Sequence, residues 1–297
     1  MRKAAIVVLV LFVWASCALT ATSRESKIIS YGKDLTAEER ILIFREMPLP
    51  DDVTSEDIKS IEVTNEEEWK LLKGLVPDNE IGTKAISSVY VEKLNSGEGL
   101  KLETKNLTFV TPQMMANALV TAGVRDARIY ATAPREVSGT AALTGIYKAI
   151  ETLTGKALAS DAKQLAAREL VQTGNLGERV GKEKAVILVE RSKERIIEAK
   201  NVTTKAIEEI VSDTAKEQNI TLTEAEKKEL IEILIQVKQL KLDVDELKTQ
   251  LKNFAPAEEK QEEKDKPASW FERVIEFITS IIDRIFSFAG RFFRLKH

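Results

Sequence analysis

The stretch TPQMMANALVTAGVRDARIYATA, residues 111–133, marks the start and end of a helix and the strand that follows it. Thr111 is a residue type that commonly caps helices, and Pro112 occupies the first helical position, where its missing N–H costs little. Gly123 follows the last apolar turn, as is typical just beyond a helix end. Residues 124–133 are then predicted to form a strand. A helix that leads directly into a strand favours a fold in which helices cover a sheet.

The flanking segments continue this alternation of strands and helices. Thr36 and Glu39 form a capping box that predicts the helix AEERILIFREM. Further helices are predicted for EEEWKLLKGL, which begins after Asn65, and for AALTGIYKAIETLTG. The other predicted strands are SKIISYG, IEVT, ISSVYVEKL and GLKLETK, the last two pairing as a hairpin across Asn95–Glu98. Residues 22–155 are therefore predicted to form an α/β or α+β sandwich.

Several of these segments, in the same order, resemble one protein family. They are Gly32-x-Asp34-Leu35-Thr36, IGTKAISS, NLTFVT, NALVTAGVRDARI and APREVSGTAALTGIYKA. Over roughly residues 27–155 the chain is similar to the exported bacterial proteins grouped as domain of unknown function 1002, the YpuA-like family. The resemblance implies export to the envelope of a Gram-positive bacterium. It implies no activity, and it carries over no functional residue.

The turn Ser138-Gly139-Thr140 has two interpretations. Backbone N–H groups at a helix amino terminus can bind an anion or another ligand there. However, these residues have neither the spacing of a phosphate-binding P-loop nor that of a dinucleotide-binding loop. In the alternative, Pro134 ends the preceding strand, Ser138 or Thr140 caps the next helix, and Gly139 and Gly145 allow close packing on the sheet. The residues favour packing.

Side chains that many active sites require are scarce. The 297-residue chain has one cysteine, Cys17, and one histidine, His297. Disulfide frameworks, cysteine or histidine zinc sites, cysteine nucleophiles and Ser-His-Asp triads are therefore excluded. The net charge of −3 gives no overall field that attracts nucleic acid. Any catalysis would depend on carboxylates, Lys, Tyr, Ser or a cofactor, and we predict no cofactor, no metal site and no nucleic-acid partner.

The amino terminus has the layout of an export signal, predicted over residues 1–21. Two basic residues precede the apolar core Ala4–Ala15, and small residues suited to cleavage follow, with cleavage expected after Ala18 or Ala21. Cys17 gives a second interpretation as a lipoprotein, which Trp14 disfavours. A third is an uncleaved anchor, because residues 4–23 carry no charge and approach the ~20 residues of a membrane span. All three place the rest of the chain outside the cytoplasmic membrane.

Residues 156–254 are predicted to be entirely helical. Helices are expected over 157–173, 178–200 and 203–218, and VILV at 186–189 is interpreted as a buried helical turn rather than a strand. One long helix after the capping box of Thr223 carries apolar residues at alternating spacings of three and four. They are Leu230, Ile233, Val237, Leu240, Val244, Leu247, Leu251 and Phe254. The pattern favours antiparallel packing within the chain and leaves open a homo-oligomeric coiled coil through 230–254.

The carboxyl terminus combines a linker and a strongly amphipathic helix. Residues 255–268 lack large apolar side chains and are predicted to be disordered. The helix predicted over 269–297 has apolar columns on one side and charged or small polar residues opposite. Its central charges disfavour a membrane span, so an interfacial helix on anionic lipid is favoured over docking in a partner groove or on the protein itself. The predicted contact residues are Trp270, Phe271, Val274, Ile278, Ile281, Ile285, Phe288 and Phe292, with the basic residues Arg291, Arg294 and Lys296.

These features favour a non-catalytic protein of the cell envelope. In this interpretation an α/β domain on a helical stalk binds or scaffolds other envelope components, held at the outer face of the cytoplasmic membrane by its terminal helix. The alternative is a carboxylate-dependent enzyme acting on envelope polymers, because two catalytic acids can lie far apart in a sequence.

Overall fold

The computed structural model describes residues 26–50, 52–76, 81–199 and 202–254. The strands in these ranges are β1 Lys27–Gly32, β2 Lys59–Val63, β3 Ser88–Lys93, β4 Lys101–Leu107 and β5 Ala127–Val137. The helices are α1 Ala37–Glu46, α2 Asn65–Leu72, α3 Pro112–Thr121, α4 Ala142–Thr154, α5 Ser160–Val180, α6 Lys182–Glu198, α7 Thr204–Glu217, α8 Glu224–Gln239 and α9 Val244–Leu251, with a 3₁₀ turn at Lys252–Phe254. The predicted mixture of strands and helices is confirmed.

The five strands of the described ranges form one mixed sheet in the order β2-β1-β3-β5-β4. β1 and β2 are parallel, as are β4 and β5, whereas β3 is antiparallel to both β1 and β5. The predicted hairpin between β3 and β4 is therefore wrong, because β5 lies between them. Ile129, Ala131 and Thr132 of β5 are fully buried, which suits a central strand, whereas β4 is largely exposed and suits an edge.

Local capping signals identify the starts of α1, α3 and α8 correctly, whereas α2 is capped by Thr64, one residue before the predicted Asn65. The side chains of Thr36, Thr64 and Thr223 each accept a hydrogen bond from the backbone N–H three residues later, where a glutamate completes a capping box. Thr111 caps α3, and Pro112 takes its first position, as predicted. Val186–Val189 form part of α6, and no strand occurs in the described residues after Val137.

The two faces of the sheet bury different helices. Gly145 of α4 approaches β3 so closely that a Cβ on it would lie 3.3 Å from Val89 Cγ2, as the predicted packing requires. Tyr90, the next residue of β3, points to the opposite face, because successive strand residues alternate. There it joins a core that includes Ile43 of α1. The other buried residues of that core are Ile29, Tyr31, Leu35, Met47, Ile58 and Ile86.

Helix α3 is the most enclosed helix of the described residues. Every residue from Met114 to Thr121 is buried. The helix contacts β4 and also α5, α6 and α9, so it joins the sheet to the helices that follow. The described residues through Asn253 form one compact unit. The boundary between 22–155 and 156–254 falls after α4, the helix that follows the last described strand, and as a domain boundary it stays a prediction.

The single long heptad helix predicted after Thr223 is wrong. Helix α8 ends at Gln239, Lys241 adopts a left-handed φ of 53°, and Asp243 caps α9 by accepting a hydrogen bond from Glu246 N at 2.9 Å. The break allows the apolar positions on both sides to enter the core of the same chain. The fully buried ones are Leu230, Ile233, Val237, Leu247 and Leu251. A homo-oligomer through 230–254 stays a prediction.

The end of α9 is bonded to the start of the edge strand β4. Gln250 O accepts from Leu100 N at 2.9 Å, and the Gln250 side chain accepts from Asp126 N at 2.7 Å. Asn253 Nδ2 donates to Leu100 O at 2.9 Å. These hydrogen bonds fix the last helix of the compact unit to the edge of the sheet. Within the described ranges, no helix is both long and apolar enough to cross a bilayer.

Gly32, where β1 ends, lies directly against the backbone of Ala85. A Cβ on Gly32 would lie 2.3 Å from Ala85 O, which is far inside van der Waals contact. Asp34 forms two hydrogen bonds with Ala85. Asp34 N donates to Ala85 O at 3.0 Å, and Asp34 Oδ2 accepts from Ala85 N at 2.7 Å. Position 32 therefore requires glycine, because the Ala85 backbone leaves no room for a Cβ atom there.

We expect Gly32→Ala to destabilise the protein by about 3 kcal/mol, the upper part of the range for overpacking, because the obstructing atoms belong to the backbone. Urea denaturation of the full chain measures the free energy of unfolding. Lys33→Ala, at the exposed neighbouring position, is the control and should change it by less than ~0.5 kcal/mol. Equal stabilities for Gly32→Ala and Lys33→Ala would contradict the packing argument.

Candidate functional site

The predicted turn at 138–140 continues directly from β5. This strand passes through Pro134 and ends at Val137, so the prediction that Pro134 ends the strand is wrong. The proline is tolerated because β4 is irregular opposite it, between Lys105 and Leu107. At that irregularity Asn106 has a φ of 60°, and its Nδ2 donates to Ala133 O at 2.8 Å.

Packing accounts for the geometry of the turn. Gly139 has a φ of 91°, and a Cβ on it would lie 3.0 Å from Leu107 Cβ. Ser138 Oγ and Thr140 Oγ1 are 3.2 Å apart and bond to each other. Helix α4 has Ala141 at its N-cap and no capping side chain, so the prediction that Ser138 or Thr140 caps it is wrong. An anion or ligand site at these residues stays a prediction.

The predicted membrane or partner contacts of the terminal helix, Trp270 through Lys296, lie outside the described residues.

A group of four polar side chains, here called the buried polar network, occupies the centre of the compact unit. Asn117 and Thr121 lie one turn apart on α3, Glu169 comes from α5 and Lys193 from α6. Lys193 Nζ donates to Glu169 Oε1 at 2.5 Å, to Thr121 Oγ1 at 2.8 Å and to Asn117 O at 3.0 Å. Thr121 Oγ1 in turn donates to Glu169 Oε2 at 2.6 Å.

The buried polar network is closed to solvent. Lys193 is 0% exposed, and Asn117, Thr121 and Glu169 are 1–2% exposed. A hydroxyl beside an amine is a geometry that enzymes use to activate a nucleophile. Here a substrate in solution has no access to the hydroxyl, so the pair cannot act on an external molecule. Burying two charges costs free energy. The network offsets this cost by pairing Lys193 with Glu169 and by surrounding the Lys193 ammonium with hydrogen-bond acceptors.

Sequence reasoning missed the buried polar network. Asn117 and Thr121 are separated by four residues in an otherwise apolar helix, which places them on one face. Glu169 lies one turn after Leu165 and Ala166 of α5, and Lys193 is flanked one turn away by Val189 and Ile196 on α6. Polar residues at core positions are the signal that could have identified the network. Their mutual pairing depends on tertiary packing.

Glu68 on α2 is a second buried ionisable group. Its side chain is 1% exposed and accepts one long hydrogen bond, 3.4 Å from Asn65 Nδ2. Burial, with a smaller contribution from the negative charges of Asp34 and Glu67, raises the pKa of Glu68 to about 8. Glu68 is therefore predominantly protonated at neutral pH.

A surface depression of about 320 Å³ lies between α5, α8 and the end of α2. Arg168 lines it and donates to Glu229 at 2.6 and 2.8 Å and to Glu232 at 2.8 Å, so the charges there are already paired. The remaining lining residues are Gly74, Leu75, Val171, Gln172 and Asn175. In the part of the chain that the structure describes, no group of three or more Asp, Glu, His or Cys side chains is arranged to hold a metal ion.

Comparison with known proteins identifies the family. The model of a family of proteins of unknown function, DUF1002, matches residues 31–254. The chain belongs to the DUF1002 family. It is 38% identical over 261 residues to a protein of Bacillus subtilis (strain 168) described as uncharacterized protein YpuA, and the match covers 88% of each chain. No solved structure matches.

The DUF1002 match extends well beyond the segments that carry the resemblance in the sequence. It includes α5 and α6, and therefore all four residues of the buried polar network. The sheet and the helices that enclose α3 thus belong to one family unit.

We expect Glu68→Gln to stabilise the protein at neutral pH. A carboxyl whose pKa is higher in the folded state favours folding at low pH, and that contribution is lost as pH rises from about 4.5 to about 8. The variant should therefore match the wild type near pH 4.5 and exceed its free energy of unfolding by on the order of 3 kcal/mol at pH 7. Urea denaturation across this range measures the difference.

Glu66→Gln is the control, because Glu66 lies two residues away on the same helix and is exposed. The difference in free energy of unfolding between Glu66→Gln and the wild type should not grow between pH 4.5 and 8. A Glu68→Gln difference that is equally independent of pH would show that Glu68 is ionised in the folded protein.

Proposed function

We propose that this DUF1002 protein is an exported, non-catalytic binding or scaffolding protein of the cell envelope. The observation that supports a non-catalytic role is the enclosure of the buried polar network. Its amine, hydroxyl and carboxylate face one another at hydrogen-bonding distance but are at most 2% exposed. These side chains are of types that enzymes use in catalysis, but here they bond to one another inside the fold and help to make it rigid.

Export is supported by the order of features at the amino terminus. A basic start, an uncharged apolar core and small residues precede the first described strand, β1. The proposed export places the chain in a compartment where it meets the membrane surface, the cell wall and other envelope proteins. Such a chain has no need of a cofactor to bind them.

Retention at the membrane is supported by the pattern of residues 269–297. On a helix, the apolar residues align along one side, and the last seven positions carry Arg291, Arg294 and Lys296 without an acidic residue. Such a segment inserts its apolar side at the lipid interface, and its basic residues attract anionic headgroups. We therefore propose that it holds the protein at the outer face of the cytoplasmic membrane.

An enzyme acting on envelope polymers is the alternative proposal. It would require two carboxyl groups facing an accessible cavity. Glu229, which lines the depression beside α5, is paired with Arg168 instead. The described residues thus favour the binding or scaffolding role.

We expect Ile278→Glu in the full chain to abolish sedimentation with anionic vesicles, because it places a charge at the centre of the apolar side while largely preserving helix propensity. Ser280→Glu adds the same charge on the polar side and is the matched control, which should still sediment. Neutralising Arg291, Arg294 and Lys296 should weaken binding to anionic vesicles more than to neutral ones. Equal sedimentation of wild type and Ile278→Glu would show that the segment docks on protein.

We also expect the mature protein from its native host to begin near Leu19 or Thr22 and to carry no lipid. Trp14 is a poor match to a lipoprotein signal, whereas Ala18 and Ala21 suit cleavage. Intact-mass measurement decides this. Cys17→Ser should be processed identically, and a diacylglyceryl group on Cys17 would contradict the expectation.

A further inference from the structure

Lys193 meets a side-chain amide and a carboxyl group at the same point in the core. Its Nζ lies 3.3 Å from Asn117 Oδ1 and 2.5 Å from Glu169 Oε1. Asn117 Nδ2 is buried and has no hydrogen-bond partner. Buried amide groups are normally hydrogen-bonded, so an unpartnered one beside an amine and an acid requires an explanation.

We propose that Lys193 and Asn117 are an intramolecular isopeptide site, at which the lysine amine displaces the amide nitrogen of asparagine with Glu169 as the proton carrier. The product is a covalent bond between α3 and α6. This proposal is independent of membrane binding and of export.

The reaction balances without an external reagent. Glu169 first takes a proton from the Lys193 ammonium, which leaves an amine with a free electron pair. Nζ then forms a bond to Asn117 Cγ, and the bond from Cγ to Nδ2 breaks. The proton held by Glu169 and the proton that Nζ loses on forming the amide both pass to the leaving nitrogen, which departs as ammonium, and the Glu169 carboxylate is regenerated. Nothing is oxidised or reduced.

The surrounding groups favour this reaction over hydrolysis. Enclosure excludes the water that would compete with the amine for Asn117 Cγ. Thr121 Oγ1 donates to Glu169 Oε2 and so orients the carboxylate, while the backbone carbonyl of Asn117 holds Nζ beside its own side chain. Nζ lies 3.3 Å from Oδ1, the oxygen bonded to Asn117 Cγ, and reactants held in a fixed orientation gain a large effective concentration.

The bond would perform the role that a disulfide performs in other exported proteins. It would close a loop between residues 76 positions apart and so restrict the unfolded chain. The chain has a single cysteine, Cys17, and therefore cannot form an intramolecular disulfide. A lysine–asparagine bond gives such a chain a covalent connection between its sheet region and its helices.

Peptide mapping of the purified full-length protein tests the proposal. After trypsin digestion we expect residues 106–125 to be joined to residues 192–195, with a mass about 17 Da below the sum of the two peptides, as loss of ammonia requires. Fragmentation should place the bond between Asn117 and Lys193. Unmodified 106–125 from the folded wild-type protein, together with cleavage after a free Lys193, would overturn the proposal, and so would a loss of about 18 Da with the bond at Glu169.

Variants test the role of the carboxylate. Glu169→Gln keeps the size of the side chain but cannot accept the proton, so its folded form should yield the two peptides separately. Lys163→Arg changes a partly exposed, ion-paired lysine and is the control, which should remain cross-linked. A cross-link in Glu169→Gln would overturn the assignment of Glu169. If that variant does not fold, the wild-type peptide map alone decides whether the bond exists.

Discussion

The complete enclosure of α3 is the constraint on which the rest of the structure depends. One side of this helix lies against the edge of the sheet and the other against α5, α6 and α9. Because no face remains in water, the polar side chains of Asn117 and Thr121 must find partners inside the protein. Glu169 and Lys193 supply them for the Thr121 hydroxyl and for Asn117 Oδ1, and the two helices that carry these charges are thereby positioned against α3.

Local features of the fold could be predicted from the sequence, and features that depend on distant contacts could not. The caps Thr36, Thr111 and Thr223 and the first-turn Pro112 act within one helical turn, so the local sequence is sufficient to identify them. The insertion of β5 between β3 and β4 depends on which strand buries both faces, which short segments do not reveal. Likewise, heptad spacing continues across Lys241, where the backbone turns so that both halves reach the same core.

The same distinction applies to the candidate site. Gly139 of the turn at 138–140 packs against Leu107 on another strand, and the predicted caps Ser138 and Thr140 are wrong because the helix after the turn has no capping side chain. The buried polar network draws on α3, α5 and α6, whose mutual positions no local pattern defines. A buried charge in an apolar segment indicates that a partner exists, but the sequence does not identify that partner.

The attachment of α9 to the sheet has a mechanical consequence. If residues beyond Asn253 are fastened to a fixed surface, tension on the chain reaches the compact unit at the end of α9. The first groups to bear that load are the hydrogen bonds from Gln250 and Asn253 to Leu100 and Asp126. The force would therefore act first on the edge strand β4, and helices α5 to α8 would unfold only after those hydrogen bonds broke.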